Sequence, residues 1–353
     1  MRILILGGTA YLSAAVARQA IVRGHQVSCL ARGTACRPPA GANWIRADRD
    51  GGPEAYRQVS GQDWDAVIDV AMQPIQVRQA LDALADRTGH WTFVSSVSVY
   101  SDDATPDQDE SGPLHSALSG DRLTELSDFG PAKVACEQAV QLAINSANRS
   151  GATDRMHISR PGLIGGPGDR SDRFGYWPAR FARRPGTPDQ PPDDVLVPDI
   201  GDVLTQVIDV DDLAGWLLDA ASSATTGILN AVGDPAPFDE VVQLCRRAAE
   251  HHGTTVPIPT EFLVDHGAHY WAGPDSLPLW LPAQDVGFGC RSNRAARAAG
   301  MRLRPLAETV RRSLQDERRR GLDRERKSGL AARTEERLLN EWRSTRPEQR
   351  PAG

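Results

Sequence analysis

The first half of the chain alternates short apolar runs with longer segments whose apolar residues recur at helical spacing. The runs that have the length of buried strands are 2–6, 26–31, 44–46, 65–70, 90–95 and 156–160. The segments with helical periodicity are 11–23, 75–85 and 129–147. Strands separated by helix-length segments indicate right-handed βαβ crossovers. The pattern therefore predicts an α/β fold with a doubly wound parallel sheet, covered on both faces.

The regular alternation ends after the sixth strand. Residues 161–199 are dense in Pro, Gly, Asp and Arg, which predicts a segment that is largely loop. The stretches 207–210 and 228–232 are predicted as short strands that return to the sheet, with a helix over 211–221 between them. A further amphipathic helix is predicted over 240–252.

The last third of the chain differs in composition from the rest. Residues 257–282 are rich in Trp and Pro and predict a small second lobe, and from Leu306 the chain is charged and helical, with breaks at Gly321 and Gly329. We therefore predict a sheet domain over 1–160 plus about 200–235, a small C-terminal lobe from 161–199 and 236–305, and a charged helical tail over 306–353.

The charge and the cysteines narrow the class of protein. The chain has 353 residues and a net charge of -6, and acidic residues interleave with the basic ones of the tail, so no nucleic-acid partner is expected. The five cysteines form no C-x-x-C pair, which is typical of a reduced, cytoplasmic protein. No apolar segment has the length of a signal peptide or a membrane-spanning helix, and the scattered histidines predict no metal site.

The segment Gly7–Ser13 lies between the first predicted strand and the first helix, where a dinucleotide-binding loop belongs. Backbone N–H groups at a helix N-terminus, aided by the helix dipole, can hold a pyrophosphate. In a G-x-x-G-x-x-G frame Gly7 is present, whereas Ala10 and Ser13 stand at the second and third positions. The candidate cofactor contacts in this loop are Gly7, Thr9, Ala10, Tyr11 and Leu12. A plain tight turn between strand and helix is the alternative interpretation.

The ends of the second and third strands bear on which cofactor would bind. An acid usually follows the second strand where a free ribose 2′-hydroxyl is bound, but Arg32 stands there instead. An Arg can hold a 2′-phosphate, so NADP(H) is favoured over NAD(H). The alternative is a solvated Arg in a turn. Asp48, after the third strand, is a candidate acceptor for the adenine amino group, or an Asp that caps a turn.

Five segments follow one another in an order and spacing that are specific together: Gly7–Ser13, Val94–Tyr100, Phe129–Lys133, Arg160–Asp169 and Gln206–Leu213. In these segments the chain resembles the extended, or atypical, short-chain dehydrogenase/reductase family, the epimerase/dehydratase group. The resemblance spans nearly the whole chain. It implies a Rossmann-type domain that binds a dinucleotide, including at Pro161, and a small, variable C-terminal lobe that binds the substrate.

The resemblance also implies three catalytic positions. A Ser that hydrogen-bonds the reacting carbonyl or hydroxyl falls at Ser96, with Ser98 as a second donor. A Lys that binds the nicotinamide ribose and lowers the pKa of a neighbouring phenol falls at Lys133. The Tyr that exchanges a proton with the substrate, one helical turn before the Lys, falls at Phe129.

Phe129 has no proton to give, and three explanations of it stay open. The substitution is engineered; or it is natural, with another group supplying the proton; or redox chemistry has been lost. The alternative proton donors are Ser96, Ser98, Tyr100, Tyr176 and Asp128.

The segment Asp169–Trp177 follows the sixth strand, where open parallel sheets bind ligands. Arg173 is therefore a candidate for an anionic group of the substrate, and Tyr176 and Trp177 offer flat apolar faces; a hydrophobic plug is the alternative. The leading hypothesis is an NADP(H)-dependent oxidoreductase or epimerase that acts on a carbonyl or hydroxyl of a small molecule, and a homodimer is left open. The alternatives are a non-redox enzyme (elimination, cyclisation or isomerisation) and a non-catalytic dinucleotide-binding protein.

Overall fold

A computed structural model describes residues 1–34, 36–147, 155–183 and 194–345, with the side chains of 144–147 left out. The end of the predicted tail, 346–353, and part of the predicted loop, 184–193, lie outside the described residues. The strands are β1 (Arg2–Leu6), β2 (Gln26–Ala31), β3 (Asn43–Arg46), β4 (Trp64–Asp69), β5 (Thr88–Val94), β6 (Met156–Pro161), β7 (Leu163–Gly165), β8 (Val195–Pro198), β9 (Leu204–Thr205), β10 (Val207–Asp209), β11 (Gly227–Ala231), β12 (Ala236–Pro237), β13 (Thr255–Ile258), β14 (His269–Tyr270) and β15 (Ser276–Leu277). The helices are α1 (Tyr11–Val22), α2 (Pro74–Leu84), α3 (Phe129–Ala147), α4 (Arg173–Ala182), α5 (Val210–Ser222), α6 (Phe238–Ala249), α7 (Thr260–Asp265), α8 (Arg294–Ala298), α9 (Leu306–Arg320) and α10 (Ala332–Thr345).

The chain divides into two compact units. Unit 1 comprises 1–164, 206–234 and 290–303, and unit 2 comprises 165–205, 235–289 and 304–353. Residues 290–303, which the composition places in the lobe, thus belong to unit 1, and the C-terminal tail belongs to unit 2.

Unit 1 is built on a seven-stranded parallel sheet in the order β3-β2-β1-β4-β5-β6-β11. This order confirms the predicted doubly wound α/β fold. Side chains of β1 alternate between two cores: Ile3 and Ile5 pack in the core that α1 and α5 cover, and Leu4 and Leu6 in the core that α2 and α3 cover. Successive side chains of a strand point to opposite faces, so an all-apolar strand needs cover on both.

In unit 2 the structure differs from the loop that the residue pattern predicts over 161–199. The structure places α4 inside the segment predicted as loop, so that part of the prediction is wrong. Pro178 lies within α4, and Trp177, fully buried, packs edge-to-face against Phe238 of α6. Tertiary packing by this aromatic helix outweighs the local turn signal of its Pro and Gly residues.

The prediction that 207–210 returns to the sheet is also wrong, because β10 lies outside the seven-stranded sheet.

Within the described residues, no helix is both long and apolar enough to cross a membrane.

Candidate functional site

The loop between β1 and α1 needs glycine at two successive positions. Gly7 and Gly8 have φ of 141° and 98°, in the region that favours glycine. A Cβ atom on Gly7 would lie 2.9 Å from Cγ2 of Val70, and one on Gly8 would collide with the side chain of Cys29. The backbone of the loop therefore passes close against the side chains of Val70, which follows β4, and of Cys29 in β2.

The N-terminus of α1 is left without a side-chain cap. Ala10 stands at the N-cap position and makes no capping hydrogen bond, and no acid lies in the first turn. The Ser13 hydroxyl donates to the carbonyl of Ala10 at 2.8 Å, so it turns back along the helix. Uncapped N–H groups at the positive end of a helix dipole fit a phosphate group. The substitution of Ser for the third glycine leaves that end of the helix available.

The other loop residues have mixed surroundings. Thr9 is buried and its carbonyl accepts a hydrogen bond from the Cys36 thiol. Tyr11, with φ of 29°, donates from its hydroxyl to the carbonyl of Ile164 at 3.2 Å. The Leu12 side chain belongs to the core, so only its backbone could contact a ligand.

Arg32 and Asp48 lie close to one another beyond the ends of β2 and β3. Arg32 is 55% exposed in its side chain, and its guanidinium lies 3.9 Å from carboxylate oxygens of both Asp48 and Asp50. Asp48 accepts from the backbone N–H of Asp50 at 3.0 Å and so caps the 3-10 turn Arg49–Gly51. The carboxylate of Asp48 thus has a structural role in this turn.

Lys133 lies one turn inside α3, and its side chain is buried. Its ammonium donates to the carbonyls of Ala71 at 2.8 Å and Val94 at 2.7 Å, beyond the ends of β4 and β5. Burial lowers the pKa of Lys133. An ammonium carries three N–H donors. Two are thus fixed by the sheet, and the ammonium also lies 4.9 Å from the centre of the Phe93 ring and 5.9 Å from that of the Phe129 ring.

The turn after β5 carries the two predicted serines. The Ser96 hydroxyl donates to the Ser98 hydroxyl at 3.1 Å, and it accepts from the Ser98 N–H at 3.1 Å. Helix α3 begins against this turn, because a Cβ atom on Gly130 would overlap the carbonyl oxygen of Ser98. The structure thus brings Ser96, Ser98, Phe129 and Lys133 to one corner of unit 1.

Beneath this corner is a buried ionic network for which the sequence gives no clear signal. Glu137, one turn after Lys133, pairs with Arg160 of β6 through two hydrogen bonds of 2.9 and 2.7 Å. Arg160 donates to the Tyr100 hydroxyl at 3.0 Å, and that hydroxyl donates to Asn230 at 2.7 Å. Burial raises the pKa of Tyr100. Tyr100 is therefore buried in the core and is a poor proton donor.

Pro161, the predicted cofactor contact, ends β6 beside Ala231 of β11.

A second buried pair supports the loop that carries Asp48. Arg49 binds both carboxylate oxygens of Asp69, at 2.7 and 3.0 Å, and also the Tyr56 hydroxyl at 2.9 Å. Asp69 in turn accepts from the N–H of Ala71 at 2.9 Å. Ala71 therefore binds the ion pair through its N–H and Lys133 through its carbonyl.

The three predicted substrate residues belong to unit 2, where two of them are buried. Trp177 donates from its indole N–H to the carbonyl of Pro278 at 2.7 Å, and it packs edge-to-face on Tyr176. Burial raises the pKa of Tyr176, which disfavours it as a proton donor. Arg173 is partly exposed, and its guanidinium lies 5.3 Å from the centre of the Trp271 ring.

The segment around Arg173 is fastened by α9 and by the residues that follow this helix. Arg320 donates to the carbonyl of Asp169 at 2.6 Å and to the Asp172 carboxylate at 2.9 Å, and Arg324 also pairs with Asp172. These contacts lie within unit 2. They assign a structural role to the basic residues of the tail.

Metal chemistry has no candidate site in the described part of the chain. Among those residues, no group of three or more His, Cys, Asp or Glu side chains could hold a metal ion.

Solved structures with this fold cover most of the chain at low sequence identity. A candidate epimerase from Burkholderia cenocepacia J2315 is 20% identical, with a TM-score of 0.67 over 90% of this chain and 98% of that one. The UDP-Glc/GlcNAc 4-epimerase of Campylobacter jejuni is 14% identical, with a TM-score of 0.63 over 90% and 99%. The UDP-glucuronic acid 4-epimerase of Bacillus cereus, solved in complex with NAD, is 14% identical, with a TM-score of 0.60 over 90% and 99%. No protein-family model and no curated protein matches the sequence.

Proposed function

Because the chain has the fold of the extended short-chain dehydrogenase/reductases, we propose that it is an enzyme of the epimerase/dehydratase type. It binds a nicotinamide dinucleotide on unit 1 and acts on a carbonyl or hydroxyl of a small molecule. The observation that carries the proposal is Lys133, a buried ammonium held by the carbonyls of Ala71 and Val94, the second of which ends the strand that leads into the serine pair.

The residues of unit 1 fit a dinucleotide at several points. The uncapped start of α1 receives the pyrophosphate, and the third N–H of Lys133 receives a ribose hydroxyl. Arg32, loosely paired and more than half exposed, is free to turn to a 2′-phosphate, so NADP(H) is preferred over NAD(H). When bound, the cofactor supplies hydride transfer at its nicotinamide ring.

The side chains at this corner of unit 1 have separate roles in the proposed reaction. The hydroxyls of Ser96 and Ser98 hold the reacting oxygen of the substrate, and Lys133 sets the position of the cofactor ribose. The Phe129 ring shapes the pocket without exchanging a proton, so the proton must come from another group. UDP-sugars are the first substrates to test, because the similar structures include enzymes that act on them.

A non-catalytic dinucleotide-binding protein is the second candidate, and Phe129 favours it. The removal of a general acid typically costs a factor of ~10²–10⁴ in rate.

Titration calorimetry with NADPH and NADH tests the proposed binding, and Arg32→Ala is expected to weaken NADPH while leaving NADH unchanged. Absence of binding by either dinucleotide would remove the proposed function. Turnover is then followed by NADPH absorbance and by product analysis over UDP-sugars and simple carbonyls. Binding without turnover, in both the wild type and Phe129→Tyr, would support the non-catalytic candidate.

A further inference from the structure

A segment of unit 1 that the motifs do not include is fastened against the serine turn and α3. The N–H of His115 donates to the carbonyl of Val99 at 2.9 Å, and Leu114 forms an antiparallel bridge with Tyr100. Three residues later, the N–H of Leu118 donates to the carbonyl of Pro131 in the first turn of α3, also at 2.9 Å. His115 is therefore held on both sides, between the elements that carry Ser98 and Phe129.

The ring of His115 lies where the serine turn meets the helix. The site of a Cβ atom on Gly130 is 3.0 Å from Cδ2 of His115 and 3.3 Å from the carbonyl carbon of Ser98. His115 is exposed, so it can exchange protons with solvent and with a bound molecule. Gly130 directly follows Phe129, and Phe129 stands at the position of the missing phenol.

His115 also differs from the other histidines of unit 1 in the freedom of its ring. The rings of His25, His90 and His157 each lie within hydrogen-bond distance of a partner. Within the described part of the chain, neither ring nitrogen of His115 takes part in a hydrogen bond or an ion pair. An imidazole whose ring nitrogens are unpaired can both donate and accept a proton, which suits it to proton transfer.

We propose that His115 is the general acid and base of this site, in place of the absent tyrosine. The proposal rests on the proposed function. In the reductive direction the carbonyl carbon accepts a hydride, with its two electrons, from C4 of the dihydronicotinamide, and the C=O π pair moves to oxygen. The imidazolium N–H bond breaks and an O–H bond forms, so the carbonyl is reduced, the nicotinamide is oxidised and His115 is left neutral.

The first test follows the NMR signals of the His115 imidazole on ligand binding, in the absence of turnover. These signals are assigned by their loss in His115→Asn. NADP⁺ is then compared with 2′-phospho-ADP-ribose, which lacks the nicotinamide. We expect NADP⁺ to shift these signals more than its truncated analogue does. Equal shifts, or no shift although calorimetry detects binding, would overturn the role of His115 and leave the proposed function standing.

The second test uses rescue. His115→Asn is expected to lower kcat by ~10²–10⁴ and to remove one limb of the pH profile of kcat. Phe129→Tyr in the same chain is expected to restore turnover, because a phenol then supplies the proton; a merely structural histidine would not be rescued. His269→Asn, an exposed histidine of unit 2, is the matched control. A His115→Asn enzyme that keeps its pH profile, or an Asp128→Asn enzyme that loses it instead, contradicts the proposal.

Discussion

The ammonium of Lys133 lies 2.8 Å from the carbonyl oxygen of Ala71, whose own N–H is bound by the Asp69 carboxylate. The ion pair between Arg49 and Asp69 is thereby connected, through one residue of backbone, to the proposed ribose contact. The position of the ammonium depends on the ends of two strands and not on the helix alone.

Lys133→Met tests this arrangement, because methionine keeps the apolar stem and removes the donors. We expect the Kd for NADPH to rise roughly tenfold or more, since a charged hydrogen bond is lost. The free energy of unfolding should fall by about 1–3 kcal/mol, because two carbonyls lose their donor. Calorimetry and urea titration measure the two effects. Lys327→Met, at an exposed position of unit 2, should change neither.

The buried pair of Glu137 and Arg160 is expected to be costly to break on one side only. Glu137→Gln leaves the Arg160 guanidinium in the core without its counter-charge, which should destabilise the protein by about 3–5 kcal/mol. Urea unfolding at neutral pH provides the measurement. Glu54→Gln, which breaks an exposed pair with Arg57, should cost less than about 1 kcal/mol. Equal losses in the two variants would contradict a buried role for Glu137.

His157 predicts a loss of stability in acid. Burial lowers its pKa to about 4, from the ordinary value of 6.5. Between these values the unfolded chain binds a proton that the folded chain does not, so stability falls as the pH drops from 6.5 towards 4. The loss from this residue should reach about 3 kcal/mol. Urea unfolding across this range should show a smaller loss in His157→Leu than in the wild type, and His269→Asn should follow the wild type.

Gly130→Ala should disturb the junction between α3 and the serine turn. The added methyl group would overlap the Ser98 carbonyl oxygen, so the helix or the turn must move, at about 1–3 kcal/mol. Any turnover should fall by more than the loss of stability explains, because Lys133 and Ser96 would separate. Thermal unfolding and kcat are compared with those of Gly61→Ala, whose new methyl group meets open space. If Gly130→Ala keeps the wild-type kcat, turnover does not depend on the geometry of this junction.

The elements of the sheet are predictable from sequence because their signals are local. The strand β1 is an apolar run that ends at a glycine pair, and α3 spans 129–147 in both the prediction and the structure. The loop Gly7–Ser13 follows from its place between β1 and α1, whereas the candidate catalytic positions at 96 and 133 follow from the resemblance to the family.

The structural features that the sequence does not predict depend on contacts between distant parts of the chain. Charged residues lie at the surface by default, so nothing local marks Arg160 or Glu137 as buried. His115 stands 14 residues before Phe129 with no motif spacing, and the backbone contacts of Leu114 with Tyr100 and of Leu118 with Pro131 bring it to the corner. In α4, aromatic packing outweighs the turn signals around it.

Lys133 and Lys327 are the only lysines among the 40 Lys and Arg residues of the chain. One ammonium is enclosed by protein and the other is open to water. Amine-reactive dyes should therefore couple at Lys327 while sparing Lys133. The folded protein could then be labelled at one of its lysines without any mutation, and acylation of Lys133 would report that the fold had opened.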